Sequence, residues 1–219
     1  MEVKEAVLRR RSIRAYETRP VPPETIRDIL ETALWSPSAT NAQAWHVAVV
    51  SGKAREELGR ALVEASLLDH EGHREIPMPP FPDAYHERRR AVGYKVYDAK
   101  GISREDKKRR IWWYQEMLRF FSAPTALIIH TPWALVPYIL QDMGMFAMSI
   151  MLLATERGLG TCPMNAPTAY PEVIKGYLGI PEDHLIALAI SLGYPDMRDP
   201  VNSFPRDREP LSAVARWFE

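Results

Sequence analysis

The sequence has little cysteine, no excess of charge of either sign, and no apolar run long enough to cross a bilayer. Its single thiol, Cys162, excludes an internal disulfide and gives no sign of a secreted, disulfide-stapled protein. The 28 basic and 28 acidic residues cancel, whereas nucleic-acid binders and polybasic membrane anchors carry a basic excess. The first residues also lack the apolar core of a signal peptide. We therefore expect a cytoplasmic protein that binds neither nucleic acid nor membrane.

Several motifs for common chemistries are missing as well. The stretch GLGTCP, residues 158–163, lacks the third glycine of a dinucleotide-binding fingerprint, and there is no P-loop or G-x-S-x-G elbow. His70 and His73 lie one helical turn apart without H-E-x-x-H spacing or a cysteine partner, so we predict no metal site. The apolar surroundings of Cys162 favour a packed side chain. A catalytic triad assembled from scattered residues stays open.

The elements that the sequence does predict are mixed, with few strands. Prolines, apolar periodicity and glycine stops indicate helices at 3–9, 23–35, 54–68, from about 105, 138–158, 170–179 and 210–218, and strands at 45–52, 123–131 and 184–195. This order favours an α+β architecture, and the 219 residues suit one domain, 1–219. The helix before Gly158 is apolar almost all round, so we expect it to be buried on every side.

The stretch RRRSIRAY, residues 9–16, concentrates positive charge beside a hydroxyl. If the chain is extended there, Arg10, Ser12 and Arg14 share one face and suit a phosphate monoester. Arg9 and Arg11 are then helix-end or surface charges. The alternative is that the whole cluster of cations merely follows a helix C-terminus, where its charge is favourable.

Two further segments carry similar polar groups. Arg206 and Arg208, in NSFPRDREP, lie two residues apart and share a face if extended, or else belong to a solvated loop. The segment SPSATNAQAWHV, residues 36–47, offers small hydroxyl and amide groups that can bind a planar polar ligand, although it can equally be an ordinary connection. The stretch from about 72 to 101 is predicted to be irregular, and such a stretch is usually functional or mobile.

Taken in order, RRSIRAY, SPSATNAQAWH, ERGLGTCPMN, LGIPEDHLIALAISLGYPD and FPRDREPL resemble segments of the FMN-dependent nitroreductase family. The resemblance covers nearly the whole chain, is weakest over residues 54–100, and is closest to the nitrobenzoate-reductase-like branch. It implies an α+β sandwich with a central, mostly antiparallel sheet flanked by helices. It also implies an intertwined homodimer, with two FMN sites at the interface and the apolar helix at 142–157 in the interface core.

The resemblance also assigns the cofactor-binding residues. Arg10, Ser12 and Arg14 would bind the FMN phosphate and ribityl chain, and Arg206 and Arg208 would close on the phosphate from the other side. The remaining residues would meet the flavin ring, the first four from the partner subunit and the last three through their backbone near N5 and O4: Pro37, Ser38, Ala39, Asn41, Met164, Asn165 and Ala166. The resemblance leaves the partner of flavin N1 and O2 unassigned.

Two departures from the family pattern stand out. Ala44 replaces a frequent proline, and Asn165 replaces a glutamate found in several members, so only a backbone contact at N5 carries over there.

The activity implied is ping-pong reduction of a nitroaromatic, a quinone or a related acceptor with electrons from NAD(P)H, without a dedicated acid, base or metal. The alternatives are another flavin enzyme of the superfamily, of dehalogenase or flavin-fragmenting type, and a non-catalytic FMN store or sensor. The irregular segment at about 72–101 is interpreted as a lid whose arginines favour carboxylated aromatic acceptors, with a solvated loop as the alternative.

Overall fold

A four-stranded antiparallel sheet forms the centre of the computed structural model, which describes residues 1–219. The strands are β1 (His46–Ser51), β2 (Thr125–Pro132), β3 (Gly160–Met164) and β4 (His184–Gly193), in the spatial order β1-β2-β4-β3. Every residue of β2 from Thr125 to Thr131 is buried, so β2 lies in the middle of the protein.

Helices cover both faces of this sheet. They are α1 (Val3–Arg9), α2 (Pro23–Ala33), α3 (Gly52–Leu68), α4 (Asp83–Ala99), α5 (Lys107–Leu118), α6 (Leu140–Glu156), α7 (Pro171–Leu178) and α8 (Leu211–Val214). Successive residues of β2 point to opposite faces: Ile128 joins an apolar cluster with α3, α5 and α7, whereas Leu127 and Ile129 join a second cluster with α2 and α6. The predicted α+β sandwich is confirmed.

Helix α6 is less buried than its composition predicts. Met143, Phe146 and Ile150 face the core, but Gly144 and Met145 are exposed, so the expected burial on every side is not met within one chain. No helix of the structure combines the length and apolarity needed to span a membrane.

The predicted irregular segment at 72–101 is only partly irregular, which corrects that prediction. Residues 69–82 contain no helix or strand, but α4 then runs from Asp83 to Ala99 and buries only Val96. A helix that buries one residue shows almost no apolar periodicity, and the prolines before it conceal its start. Strand β3 was also missed, because its five residues include Gly160 and Pro163, which strands disfavour.

Candidate functional site

The segment after α1 lies extended along β3. Ser12 pairs with Thr161 in a parallel bridge, and the Ile13 amide donates a 2.9 Å hydrogen bond to the Thr161 carbonyl. The buried side chain of Ile13 packs directly against the backbone of Gly160. A Cβ atom at position 160 would collide with it. The predicted extended conformation is therefore correct, and Gly160 is what allows the close approach.

Arginine side chains from both ends of the chain line one cavity of about 400 Å³ next to this segment. Arg10, Ser12, Arg14, Arg206 and Arg208, predicted separately from two segments, all contribute to its wall. Helix α4 adds Arg88, Ala91 and Val92 to the wall. The rest of the lining comes from the same two terminal segments: Arg11, Val201, Phe204, Asp207 and Glu209. Cations thus outnumber carboxylates by six to two.

The two carboxylates are already engaged with other cations. Glu209 forms an ion pair with Arg88, with 3.1 Å between Oε1 and Nε. Asp207 forms an ion pair with Lys95. The arginines of the N-terminal segment at this cavity therefore have no carboxylate partner.

The charges in this cavity repel one another. Burial and then the nearby guanidiniums of Arg206 and Arg208 lower the pKa of Arg10, and its side chain makes no hydrogen bond within the protein. Burial, Arg206 and Arg14 likewise lower the pKa of Arg11. A dianionic group placed between them would remove this repulsion and accept several charge-assisted hydrogen bonds. The donor set therefore fits a phosphate.

Two arginines differ from the sequence-based assignment. Arg11, predicted to be a surface charge, is half-buried, lines the cavity and donates a 2.6 Å hydrogen bond to the Phe204 carbonyl. Its guanidinium reaches the cavity because an arginine stem is long enough to turn around a strand edge, which simple alternation ignores. Arg206 lines the cavity but also donates to the carbonyls of Leu8 and Arg10, and so caps the C-terminus of α1.

A second group of predicted residues lies at the other end of β3. Met164 follows Thr161 by three residues, about 10 Å at the rise of a strand. Asn165 and Ala166 come directly after β3, and none of the three residues lines the arginine cavity. The Asn165 carbonyl accepts hydrogen bonds from Arg74 and from the Thr168 hydroxyl. Arg74 belongs to the region of weakest resemblance, and the sequence did not single it out.

The two ends of β3 thus offer a cavity whose cations suit a phosphate and a backbone edge with a nearby cation. Residues 7–194 of this chain match the profile of the Nitroreductase family. The chain belongs to the nitroreductase family.

Individual relatives agree with this family assignment. Nitroreductase NfnB of Mycolicibacterium smegmatis is 35% identical over 95% of this chain and 89% of its own length. A 4-nitrobenzoate reductase of Nocardioides is 35% identical over 96% of this chain and 88% of its own. The crystal structure described as an FMN and NADPH-dependent nitroreductase NfnB from sphigopyxis superposes with a TM-score of 0.97 at 33% identity, covering 100% of both chains. The predicted family and nitroreductase-like fold are confirmed.

The strap, residues Gly72–Glu75, holds Arg74 of this nitroreductase in place. Gly72 has φ +66 and passes so close to the Ala169 carbonyl that a Cβ would collide with it, and the His73 amide donates to the same oxygen at 2.8 Å. The Glu75 carboxylate accepts from three donors: Lys175 Nζ at 2.7 Å, the Ile186 amide at 2.9 Å and Trp133 Nε1 at 3.1 Å. Contacts on both sides of Arg74 therefore fix the backbone that carries it.

The loop with Pro37, Ser38, Ala39 and Asn41 lies away from the arginine cavity of its own chain. It rests on α6, where the Ala39 amide donates to Asp142 Oδ2 at 3.1 Å. The Gln43 amide donates to Ser38 Oγ at 3.1 Å, and Asn41 has a positive φ of 60°. The second carboxylate oxygen of Asp142 is buried without a partner. Within one chain, this loop therefore neither lines the arginine cavity nor hydrogen-bonds to the other predicted cofactor residues.

The single cysteine is not a reactive thiol. Cys162 lies within β3 and is buried, and this burial raises the pKa of its thiol. A protonated, inaccessible thiol is a poor nucleophile.

Proposed function

We propose that this chain is an FMN-dependent oxidoreductase that uses NADPH or NADH to reduce nitroaromatic compounds, nitrobenzoates among them. The observation that carries the proposal is the arginine cavity beside β3, whose surplus of cations fits the phosphate of FMN. Relatives named as a 4-nitrobenzoate reductase and as an FMN and NADPH-dependent nitroreductase support the substrate classes. We further propose that residues 1–219 form one FMN-binding domain and that the protein works in the cytoplasm, where reduced nicotinamide nucleotides are available.

The residues divide into those that bind and those that position. Arg10 is the strongest phosphate ligand, because it is desolvated and has no partner of its own. Ser12 and Arg14 extend the same wall, Arg208 adds charge, and Arg206 holds the C-terminal segment against α1. FMN, when bound, supplies the centre that accepts and donates hydride.

The other end of β3 would orient the flavin ring. We assign the backbone of Met164, Asn165 and Ala166 to this edge of the ring, and Arg74 supplies positive charge beside it. None of the three β3-end side chains is an acid or a base, in agreement with a reaction in which the protein orients and the cofactor reacts.

A second copy of the chain would complete each site. Two exposed apolar side chains lie near the loop of Pro37, Ser38, Ala39 and Asn41: Trp35, which is 90% exposed, and Met145 on the open face of α6. At the C-terminus, Trp217 and Phe218 are also more than 80% exposed. Exposed apolar surface of this kind marks an interaction site. We propose that these surfaces pair in a homodimer and bring the Pro37–Asn41 loop to the partner's cofactor. Light scattering of the purified protein is expected to give twice the mass of the 25.0 kDa chain.

The experiment that tests the function starts with colour. The purified protein is expected to be yellow with the absorbance of oxidised flavin, and to oxidise NADPH when 4-nitrobenzoate is added. A colourless protein that takes up no added FMN overturns the proposal. Flavin without turnover indicates a store or sensor, and halide release from halogenated phenols without nitro reduction indicates a dehalogenase.

The arginine cavity is tested by changing its least satisfied residue. Arg10→Gln removes a desolvated charge facing the phosphate, so the FMN Kd is expected to rise by about 10- to 100-fold, as for loss of a charge-assisted hydrogen bond. Arg9→Gln is the matched control, since Arg9 is exposed and paired with Glu5 at 3.1 Å. Fluorescence titration of the apoprotein with FMN measures both. Equal Kd values for the two variants would place the phosphate elsewhere.

A further inference from the structure

A second cavity, of about 650 Å³, lies between α4 and α5. Its lining shares no residue with the arginine cavity, although α4 contributes to both. The residues that form it are Arg90, Gly93, Tyr94, Tyr97, Asp98, Ile102, Arg104 and Arg110. None of these residues belongs to the site described above, and none was predicted from the sequence to bind the cofactor.

This second cavity also has a surplus of positive charge. Three arginines line it, and none of them has a carboxylate within 4.0 Å, although Asp98 is part of the same wall. On the opposite side of α4, Arg88 is paired with Glu209. Unpaired guanidiniums along a cavity are the pattern that marks the first site as anion-binding.

The charges of the three arginines all act on the hydroxyl of Tyr94. Arg90 donates a 3.0 Å hydrogen bond to the Tyr94 hydroxyl. This bond, followed by the charges of Arg90, Arg104 and Arg110, lowers the pKa of the Tyr94 phenol. All three guanidiniums are therefore close enough to one hydroxyl of the cavity wall to act on it together.

The inner wall of this cavity is aromatic and apolar. Ile102 is buried and its amide donates to the Tyr97 carbonyl at 2.8 Å, while the Arg110 guanidinium lies 5.7 Å from the Tyr97 ring centroid. Ile102 and Met164 both belong to the apolar cluster on this face of the sheet. A planar ring can therefore pack against Tyr97 while an anionic group attached to it meets the arginines.

We propose that the cavity between α4 and α5 is an anion subsite for a ligand that carries a phosphate or carboxylate beside an aromatic ring. The proposal rests on the proposed function, which supplies two sources of such a ligand. One is the 2′-phosphate next to the adenine of NADPH, in which case the subsite selects NADPH over NADH. The other is the ring-bound carboxylate of a nitrobenzoate, in which case it selects the acid over a neutral nitroaromatic.

The test neutralises the three arginines together in the FMN-loaded protein. In Arg90→Gln/Arg104→Gln/Arg110→Gln, a phosphate ligand predicts that the KM for NADPH rises about tenfold or more while the KM for NADH stays within twofold. A carboxylate ligand predicts the same split between 4-nitrobenzoate and nitrobenzene. The control is Arg27→Gln/Arg60→Gln/Arg89→Gln, which removes the same charge from residues that line neither cavity.

Direct titration keeps this inference separate from the enzymatic proposal. Calorimetry of the FMN-loaded protein with 2′,5′-ADP against 5′-AMP, and with benzoate against benzamide, is expected to show tighter binding of one of the two anions, lost in the first variant and retained in the control. If the parent is inactive, the proposed function fails while this titration still decides the subsite. Unchanged KM ratios and unchanged titrations in the first variant, or equal losses in the control, overturn the inference.

Discussion

The strap and helix α4 are neighbours in the chain, but they differ in secondary structure and in their contacts with the rest of the fold. The strap, residues 72–75, has no regular secondary structure, yet Gly72, His73 and Glu75 are each held by contacts to other parts of the fold. Helix α4 is regular over 17 residues but buries only Val96. Its ion pair between Arg88 and Glu209 joins side chains that are 50% and 41% exposed. Regular backbone is therefore a poor guide to local stability, which follows buried contacts.

This contrast divides the segment that the sequence presented as one lid. The strap is a fixed support for Arg74 beside the end of β3, and α4 is an exposed partition between two arginine-lined cavities. If opening occurs in this nitroreductase, it is expected in α4 and not in the strap. The predictions below test that difference.

The largest effect is expected from Lys175→Met. The Lys175 and Glu75 side chains are only 6% and 14% exposed, so removing the lysine leaves a buried carboxylate without its counter-charge. Breaking such a pair costs about 3–5 kcal/mol of unfolding free energy. Urea denaturation measures this loss, and the double variant Glu75→Gln/Lys175→Met is expected to recover part of it.

The matched control for this ion pair is Arg88→Met in α4. Its pair with Glu209 is exposed to solvent, and exposed pairs contribute at most about 1 kcal/mol. A loss in Lys175→Met no greater than in Arg88→Met would show that the strap is not anchored more firmly than the helix.

Two glycine substitutions form the next contrast. Gly72→Ala places a methyl group against the Ala169 carbonyl at a backbone φ of +66, so we expect a loss of about 1–3 kcal/mol. Gly93→Ala lies in α4, where a Cβ meets nothing within 4 Å, and a helix-interior glycine replaced by alanine gains about 0.5–1 kcal/mol. Thermal denaturation of the two variants is expected to move in opposite directions. A gain from Gly72→Ala would contradict the close approach at the strap.

Lowering the pH is expected to destabilise the fold through a group of histidines on the side of the sheet that carries the strap. Burial, then His184 and His46, lower the pKa of His130 to about 4, and its Nδ1 lies 2.8 Å from that of His184. Burial and the charges of His46 and Lys175 also lower the pKa of His184, against the opposing effect of Asp183. Because these folded-state pKa values lie below the ordinary 6.5, their contribution to stability is complete above about pH 6.5 and is lost as the pH falls toward 4.

The measurement is the melting temperature between pH 7 and pH 4. His130→Gln is expected to give a shallower decline than the parent, because it removes the ring whose pKa is lowered to about 4. Protection of the His73 amide against hydrogen exchange, corrected for the slower intrinsic exchange at low pH, is expected to fall over the same range, while protection in α4 changes less. Parallel declines in the parent and the variant would exclude the histidine cluster as the cause.

The sequence predicted those parts of the fold that depend on local pattern. Prolines and an apolar stripe indicated α2, valine-rich and isoleucine-rich runs indicated β1 and β2, and the alternation after Arg10 brought Ser12 and Arg14 to one cavity. These features are local because periodicity determines them.

The rest depended on long-range contacts. Strand β3 is defined by its pairing with β4 and with Ser12, and Arg74 is placed by contacts of Gly72 and Glu75 with residues about 100 positions away. Arg11 reaches the arginine cavity only because the chain near Phe204 returns to it. No pattern within one segment carries that information.

The smallest expected effect is that of Arg88→Gln on FMN binding, and it tests whether α4 takes part in the cofactor site. Arg88 lines the arginine cavity from α4, but it is half exposed and already paired with Glu209, so Arg88→Gln is expected to raise the FMN Kd no more than about threefold, less than 1 kcal/mol. Arg10→Gln, which changes a desolvated arginine without a carboxylate partner, is expected to raise the FMN Kd severalfold more. Both are measured by FMN titration of the apoprotein at two salt concentrations, because screening weakens an exposed charge more than a buried one. If Arg88→Gln weakened FMN binding as much as Arg10→Gln, α4 would be part of the cofactor site and not a partition beside it.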